Sequence, residues 1–239
     1  QLEEFREDVM ATTVHDLQQP ITTLKARLQL ALRHLGSGAQ DVDRFAGMLN
    51  QAVAETDRLA AMLLTVTEAS RVALGRLDLH RASADLGTLL PVVVGRLDPD
   101  TAARVHVTVV PGFDAAGEWD APLLERVLVN LLSNAAKYSP ANTSIEVGLT
   151  ELDRAVHLTV RDSGIGLAHE EHVDLFRRYG RTQSATRSGI AGLGLGLYLS
   201  RGIVDAHGGR IWAESAGPGQ GTAFHVVLPR HPEPGFAPQ

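Results

Sequence analysis

Residues 121–138, Ala-Pro-Leu-Leu-Glu-Arg-Val-Leu-Val-Asn-Leu-Leu-Ser-Asn-Ala-Ala-Lys-Tyr, are the stretch from which the architecture can be read. The run predicts a helix beginning near Asp120, and Asn130 and Asn134, four positions apart, share one face of it. Two amides set among leucines and alanines must find partners, because an unpaired buried amide costs a few kcal/mol. A hydrated Mg²⁺ carrying nucleotide phosphates has the hard-oxygen chemistry that satisfies such amides, and Lys137 at the end of the run meets phosphate charge. A helix with a plain polar stripe uses the same residues.

Working outward, β-rich runs fall at Val105–Val110, Ser144–Thr150, Val156–Arg161, Arg210–Glu214 and Thr222–Leu228. Helical patterns sit among them at 85–97, 121–138, 168–178 and 194–207. Trp119 and Trp212 read as sheet packing. This order predicts an α+β sandwich, with the helices on one face of a mixed sheet. Upstream, an apolar stripe runs through Met10, Val14, Leu17, Ile21, Leu24, Leu28, Ala31 and Leu35, spaced alternately four and three apart. Gly36-Ser37-Gly38 breaks it, and a second stripe follows through Phe45, Leu49, Ala52, Thr56, Leu59, Leu63 and Val66 to near Gly75. Two heptad seams predict an antiparallel helical hairpin, and two hairpins complete a four-helix bundle, so a homodimer is expected. The expected domains are residues 1–75, residues 76–230 and a proline-rich, frayed tail at 231–239.

Three further constellations carry chemistry. Asp162-Ser163-Gly164-Ile165-Gly166 directly follows a predicted strand: its glycines admit a close backbone turn, and its acid can accept from an exocyclic amine such as adenine's. A simple glycine turn uses the same residues. Gly192-Leu193-Gly194-Leu195-Gly196-Leu197-Tyr198 opens a helix, where backbone N–H groups and the helix dipole seat a phosphate. It does not match GxxxxGK[ST], and no strand directly precedes it. Before it, residues 181–190 have the composition of a mobile loop, with Arg177, Arg178, Arg181 and Arg187 available to phosphate. Near the start, His15 lies one position off the first seam, beside Asp16, with Gln19 one turn along and Pro20 inside the helix. A neutral imidazole is a good nucleophile near pH 7, and an adjacent carboxylate can hold one ring proton while the other nitrogen attacks. An exposed His beside an exposed Asp is the plainer reading of the same pair.

Composition narrows the field. The chain has 239 residues, 44% apolar and 21% charged, the balance of a folded protein. A net charge of −6 argues against a nucleic-acid partner, and the absence of cysteine excludes disulfide scaffolds, thiolate zinc sites and cysteine nucleophiles. Only two of the 22 basic residues are lysines, Lys25 and Lys137. No run reaches the roughly 20 apolar residues of a spanning helix, and no signal peptide is visible. Because Gln1 opens mid-pattern, a piece of a longer chain is expected.

Taken in this order, the four blocks resemble the catalytic core of the sensor histidine kinases of bacterial two-component signalling, over about residues 5–230. His15-Asp16 with Pro20 is similar to the family's phosphoacceptor box, Asn130–Tyr138 to its N box, Asp162–Gly166 and Gly192–Leu197 to its glycine boxes. Phe176–Arg181 resembles the start of its ATP lid, and Gly219–Phe224 its closing turn and strand. The resemblance implies a Bergerat (GHKL) ATP-binding sandwich at 76–230 and a dimerisation and phosphoacceptor domain at 1–75. It implies ATP and Mg²⁺ as cofactors, with Asn134 as metal ligand supported by Asn130, and Lys137 and Arg181 on phosphates. By the same resemblance Tyr138 lines the nucleotide, Asp162 reads the adenine amine, and Gly164, Gly166, Gly192, Gly194, Gly196 and Thr222 complete the site. It further implies autophosphorylation on His15, with Asp16 as base or orienter, then transfer to an aspartate of a response-regulator receiver domain. Such a core is expected in the cytoplasm, with a membrane reached only through a sensor region outside these residues. Asp16 stands where the family usually has Glu, Gln18 replaces a basic residue, and Gln19 stands where members with phosphatase activity often carry Thr or Asn.

Overall fold

The computed structural model describes residues 20–33, 42–110, 112–180 and 193–231. His15, Asp16, Gln19, Arg181 and Gly192 lie outside the described residues. The chain divides into two compact units, Gln1–Ser70 and Arg71–Gln239. Among the described residues no helix is long and apolar enough to cross a membrane.

The first unit is helical. Helix α1 covers residues 20–33 and α2 spans Val42–Ala73. Arg27 Nη1 donates to Gln51 Oε1 at 2.9 Å, tying the two helices side by side. Helix α2 stops where the second stripe predicts. Gly75 takes φ +63°, its N–H reaches Val72 O at 3.0 Å, and Arg76 N–H reaches Arg71 O at 2.9 Å. These two bonds close the last turn, and only a residue without Cβ takes that backbone conformation cheaply.

In the second unit, β1 (Ala82–Asp85) leads into α3 (Leu86–Gly95), the single turn α4 (Pro99–Ala102), β2 (Val105–Val109), β3 (Ala116–Trp119) and α5 (Ala121–Tyr138). Then come β4 (Ile145–Leu152), β5 (Ala155–Asp162), a 3₁₀ turn at His169–His172, α6 (Gly196–Ala206), β6 (Arg210–Glu214) and β7 (Thr222–Pro229). Five strands form a mixed sheet in the order β2-β4-β5-β7-β6, with β2 parallel to β4 and the other pairs antiparallel. Strand alternation sorts the faces. Ile145, Val147 and Leu149 of β4, Val156, Leu158 and Val160 of β5, and Phe224, Val226 and Leu228 of β7 are buried. Against them pack Leu86, Leu90 and Val93 of α3, Leu124, Leu128, Leu131 and Leu132 of α5, and Ile203 and Val204 of α6. This is the helix-on-sheet sandwich that the strand and helix order predicts.

Two expectations change. Residues 168–178 hold only the one 3₁₀ turn, because the bonds that follow are i to i+3: Arg177 N–H to Asp174 O and Gly180 N–H to Arg177 O. No i-to-i+4 ladder propagates from such turns. The antiparallel pair β1–β3 is not among the strands expected from the sequence; it is only four residues long and carries Gly117 opposite Ala84. Its partner for burial is Trp119, whose ring occupies the space that a Cβ on Gly117 would need and whose Nε1 donates to Pro229 O at 2.7 Å.

A buried polar knot joins the start of α5 to the end of α6. Asp120 caps α5 by accepting from Leu123 N–H at 3.2 Å, and its second oxygen accepts from His80 N–H at 2.8 Å. The Asp120 N–H donates to His207 Nε2 at 3.0 Å, and His207 Nδ1 pairs with Ile203 O at 2.8 Å. His207 is therefore neutral, with its proton on Nδ1. Burial holds its pKa below the ordinary 6.5, aided by Arg81 and opposed by the bond to Ile203 and by Asp120. His157 and His225, on the open face of the sheet, are also held low, chiefly by burial. Below about pH 6.5 the unfolded chain binds protons that the folded chain resists, so stability falls as pH drops through that value. Thermal melts of the chain between pH 8 and 5 should show this decline. In His207→Leu, melting should show a loss of about 2 kcal/mol near neutral pH, from the orphaned Asp120 N–H, and a shallower acid limb.

Candidate functional site

The site grows from the C-terminal turns of α5. Asn130 is pinned between helices: its Nδ2 donates to Ser200 Oγ of α6 at 2.8 Å, and Ser200 is buried. Its Oδ1 rests on Gly196, where a Cβ would stand only 2.1 Å away. Gly196 is thus required by the close approach of α5 and α6. Asn134, one turn further, is half-buried on the same face. Lys137 is exposed, with Nζ 5.0 Å from the centre of the Tyr138 ring.

The end of α5 abuts the turn that follows β5. Ile165 N–H donates to Tyr138 O at 3.1 Å, and a Cβ on Gly164 would lie 2.3 Å from that same carbonyl. The close backbone turn expected at this glycine is thus made against the end of α5. Asp162, the last residue of β5, is buried, and its Oδ1 accepts from Gly164 N–H at 2.7 Å. Its partner across the ladder is Thr222, the buried first residue of β7, whose N–H also bonds the carboxylate. Burial raises the pKa of Asp162 above the ordinary 3.8, while the two N–H bonds and the charge of Arg104 pull it back.

A second loop braces this turn. Gly219 N–H reaches Ile165 O at 2.7 Å, and Gly221 N–H reaches Gly164 O at 3.1 Å. Ser215 Oγ accepts from Leu167 N–H at 3.0 Å and donates to Gly221 O at 2.6 Å. Gly166 lies with φ +65° under Gly217, and Gly194 with φ +63° against Tyr179 and Gly180. Helix α6 begins at Gly196 with Leu195 as its N-cap and no side-chain cap. Among the described residues no side chain caps its leading N–H groups, and a helix start of this kind has the polarity that favours an anion.

The fold thus brings Asn130 to Gly196, and Tyr138, Gly164, Asp162 and Thr222 into one contiguous cluster. Three contributors are not marked in the sequence. Ser200 and Ser215 are ordinary serines in ordinary positions, and Arg104 stands 58 residues before Asp162. No spacing rule links them to the site; only the tertiary contacts do. Among the described residues no group of three His, Asp or Glu side chains is placed to hold a metal. The half-buried Asn134 amide nevertheless offers the hard oxygen that Mg²⁺ prefers. The helix start at Gly196 and the buried acceptor Asp162 have the chemistry that suits a nucleotide, with phosphates at one and an amino-bearing base at the other.

Comparison with known proteins agrees with this geometry. Residues 119–232 match the family described as histidine kinase-, DNA gyrase B-, and HSP90-like ATPase. Sensor protein KdpD of Escherichia coli is 31% identical over 232 residues, which is 97% of this chain and 25% of that protein. The mycobacterial sensor histidine kinase MprB superposes with a TM-score of 0.56 at 29% identity, over 64% of this chain and 99% of that one. Histidine kinase ThkA, solved in complex with the response regulator protein TrrA, has a TM-score of 0.64 at 21% identity, over 93% of this chain and 61% of that one, and shows the shared fold. The site and these matches identify the chain as a sensor histidine kinase catalytic core, its second unit carrying the ATP-binding fold of that family. The chain spans between a quarter and three-fifths of the length of the curated relatives it matches.

Asp162 pays for its position, since a carboxylate with a raised pKa is better accommodated when neutral. Asp162→Asn should therefore raise the melting temperature at pH 7. Calorimetric titration with Mg·ATP should show the same variant losing affinity by about 10- to 100-fold, because it loses the charged acceptor. A lower melting temperature would contradict the assignment of the buried charge.

Proposed function

We propose that the second unit binds Mg·ATP and donates its γ-phosphoryl group to His15, and that an aspartate of a response regulator then accepts it. The observation that carries the reading is the buried carboxylate of Asp162, met by the backbone N–H groups of Gly164 and Thr222 at the end of the sheet. In the proposal residues 76–230 are the ATP-binding domain and residues 1–75 the dimerisation and phosphoacceptor domain.

The roles follow from chemistry. Asp162 accepts from the exocyclic amine of adenine, Thr222 lies beside it, and Tyr138 lines the base. Asn134 holds Mg²⁺ through its amide oxygen, and Asn130, fixed by Ser200 and Gly196, keeps the helix face that presents it. When bound, the metal neutralises phosphate charge. Lys137 and Arg181 add positive charge, while Gly192, Gly194 and Gly196 bring the N–H groups of α6 to the phosphates. One ring nitrogen of His15 attacks the γ-phosphorus; an N–P bond forms as the bond to the β-phosphate oxygen breaks, and ADP leaves. Asp16 holds, then takes, the proton of the other ring nitrogen, leaving a neutral phosphoimidazole. In this reading Gln19, one turn along the sequence from His15, is the residue whose amide can orient a water. Positioning and charge neutralisation do most of the work in such a transfer.

A dimer fits the first unit. Ala31 and Ala52 are buried within one chain, whereas Ile21 is 52%, Leu28 41% and Leu63 57% exposed along the predicted seams. A second hairpin would cover them. The response-regulator step is supported by ThkA, a neighbour in fold solved with such a partner.

Incubation with γ-labelled ATP should place on the chain a label that survives alkali and disappears in His15→Ala. Phosphate release that continues unchanged in His15→Ala, with no label on the native chain, would instead mark a plain ATPase. In sedimentation, the native chain should run at twice its 25.6 kDa mass and Leu63→Glu at the monomer mass. A native monomer would refute the bundle.

A further inference from the structure

The geometry points to Arg104 as a positioning residue for nucleotide binding, acting through the end of α5 and the carboxylate of Asp162. The inference rests on the ATP-binding reading above and names a residue that this reading leaves out.

Arg104 closes the C-terminus of α5 with its whole guanidinium. Its Nη2 donates to Ser139 Oγ at 2.6 Å and to Pro140 O at 2.9 Å. Its Nη1 reaches Ala136 O at 3.3 Å, and its Nε reaches Thr143 O at 2.9 Å. The Arg104 carbonyl in turn accepts from Ile145 N–H at 2.8 Å, at the start of β4. Ser139 Oγ passes a bond of its own to Ala135 O at 2.5 Å. One side chain thereby fixes the last turn of α5, the loop at 139–143 and the entry to the central sheet. The planar five-donor fork of arginine suits such a gathering of carbonyls, and a lysine offers only a point charge.

The turn so fixed is the one on which the nucleotide site leans. Tyr138 O, two residues past the Ala136 carbonyl held by Arg104, is the acceptor for Ile165 N–H and the surface against which Gly164 packs. Gly164 N–H is the donor to Asp162 Oδ1 at 2.7 Å. A displacement of α5's end is therefore carried in two contacts to the acceptor of the adenine amine.

There is also an electrostatic reason for a cation here. A helix C-terminus carries partial negative charge, and a buried carboxylate nearby is disfavoured by it. Arg104 sits on those carbonyls and, among the described residues, is the ionised group whose charge acts on Asp162. It offsets the helix end and, with the two N–H bonds, opposes the rise that burial imposes on Asp162.

The test compares the full chain with Arg104→Gln, which retains donors but no charge, and Arg104→Lys, which retains charge but not the fork. Two readouts are followed from pH 8 downward: Mg·ATP affinity by calorimetry, and the titration of the Asp162 carboxyl carbon by NMR without nucleotide. Arg104→Gln should bind Mg·ATP about 10-fold more weakly. Its carboxyl titration and the acid midpoint of binding should move to higher pH by about half a unit or more. Arg104→Lys should return both midpoints close to those of the native chain while recovering only part of the affinity. A purely structural arginine would lower the melting temperature of Arg104→Gln and leave the Asp162 titration in place, and that result overturns the inference. Should Arg104→Gln not fold, Arg104→Lys decides: a native-like titration with weakened binding supports the assignment, and native affinity overturns it. A native chain that binds no ATP refutes the ATP reading, whereas the NMR titration still judges the action of Arg104 on Asp162.

Discussion

The carbonyl of Tyr138 is the contact on which the site's geometry depends. A helix laid across a sheet ends with unpaired carbonyls, and each must meet a donor or water. Here the last of them receives Ile165 N–H from the turn after β5, and the approach is close enough that Gly164 cannot bear a side chain. Because the same turn holds Asp162, the position of one helix end sets the position of the buried acid. The loop at 215–221 then bonds the turn from its other side, so the acid is fixed by backbone on both flanks.

Charge arrangement follows from that constraint. Packing an acid near a helix C-terminus sets like signs together, and burial raises the pKa of Asp162 further. Two N–H donors and the guanidinium of Arg104 oppose this, each at a cost in conformational freedom that the neighbouring backbone bonds help to meet. At the other end of α5 the signs are favourable. Asp120 caps the helix N-terminus, and the neutral ring of His207 accepts its N–H instead of adding a charge. One helix therefore has a stabilising acid at its start and a less comfortable acid, the proposed acceptor, beside its end.

The first unit works on a different principle. Its helices bury small residues such as Ala31, Ala52 and Ala69 and leave larger apolar ones at the surface. A unit of two helices has too little interior to cover both seams, which is why the proposed function gives it a second copy as partner. In the proposed reaction this unit presents the nucleophile and the second unit presents the phosphoryl donor, which keeps the rigid binding fold separate from the element that receives the group.

Much of this was legible in the amino-acid order. The β-rich runs at 105–110, 144–150, 156–161, 210–214 and 222–228 alternate or stay apolar as sheet strands must, and the structure contains a strand at each. The asparagines of α5 and the glycines after β5 and before α6 were likewise visible, because residue type and short spacing are local properties. The segment 168–178 misled because its polarity suits a helix while its actual bonds are a succession of tight turns. Arg104, Ser200 and Ser215 were invisible for a reason of distance: each acts on residues tens of positions away, and nothing in its own neighbourhood marks it. Local periodicity and backbone freedom determined which elements form and which residues are candidates for the chemistry. Which carbonyl meets Gly164, which amide is fixed by Ser200 and which cation faces the buried acid were decided by the fold alone, because those are relations between surfaces that come together only when the chain closes.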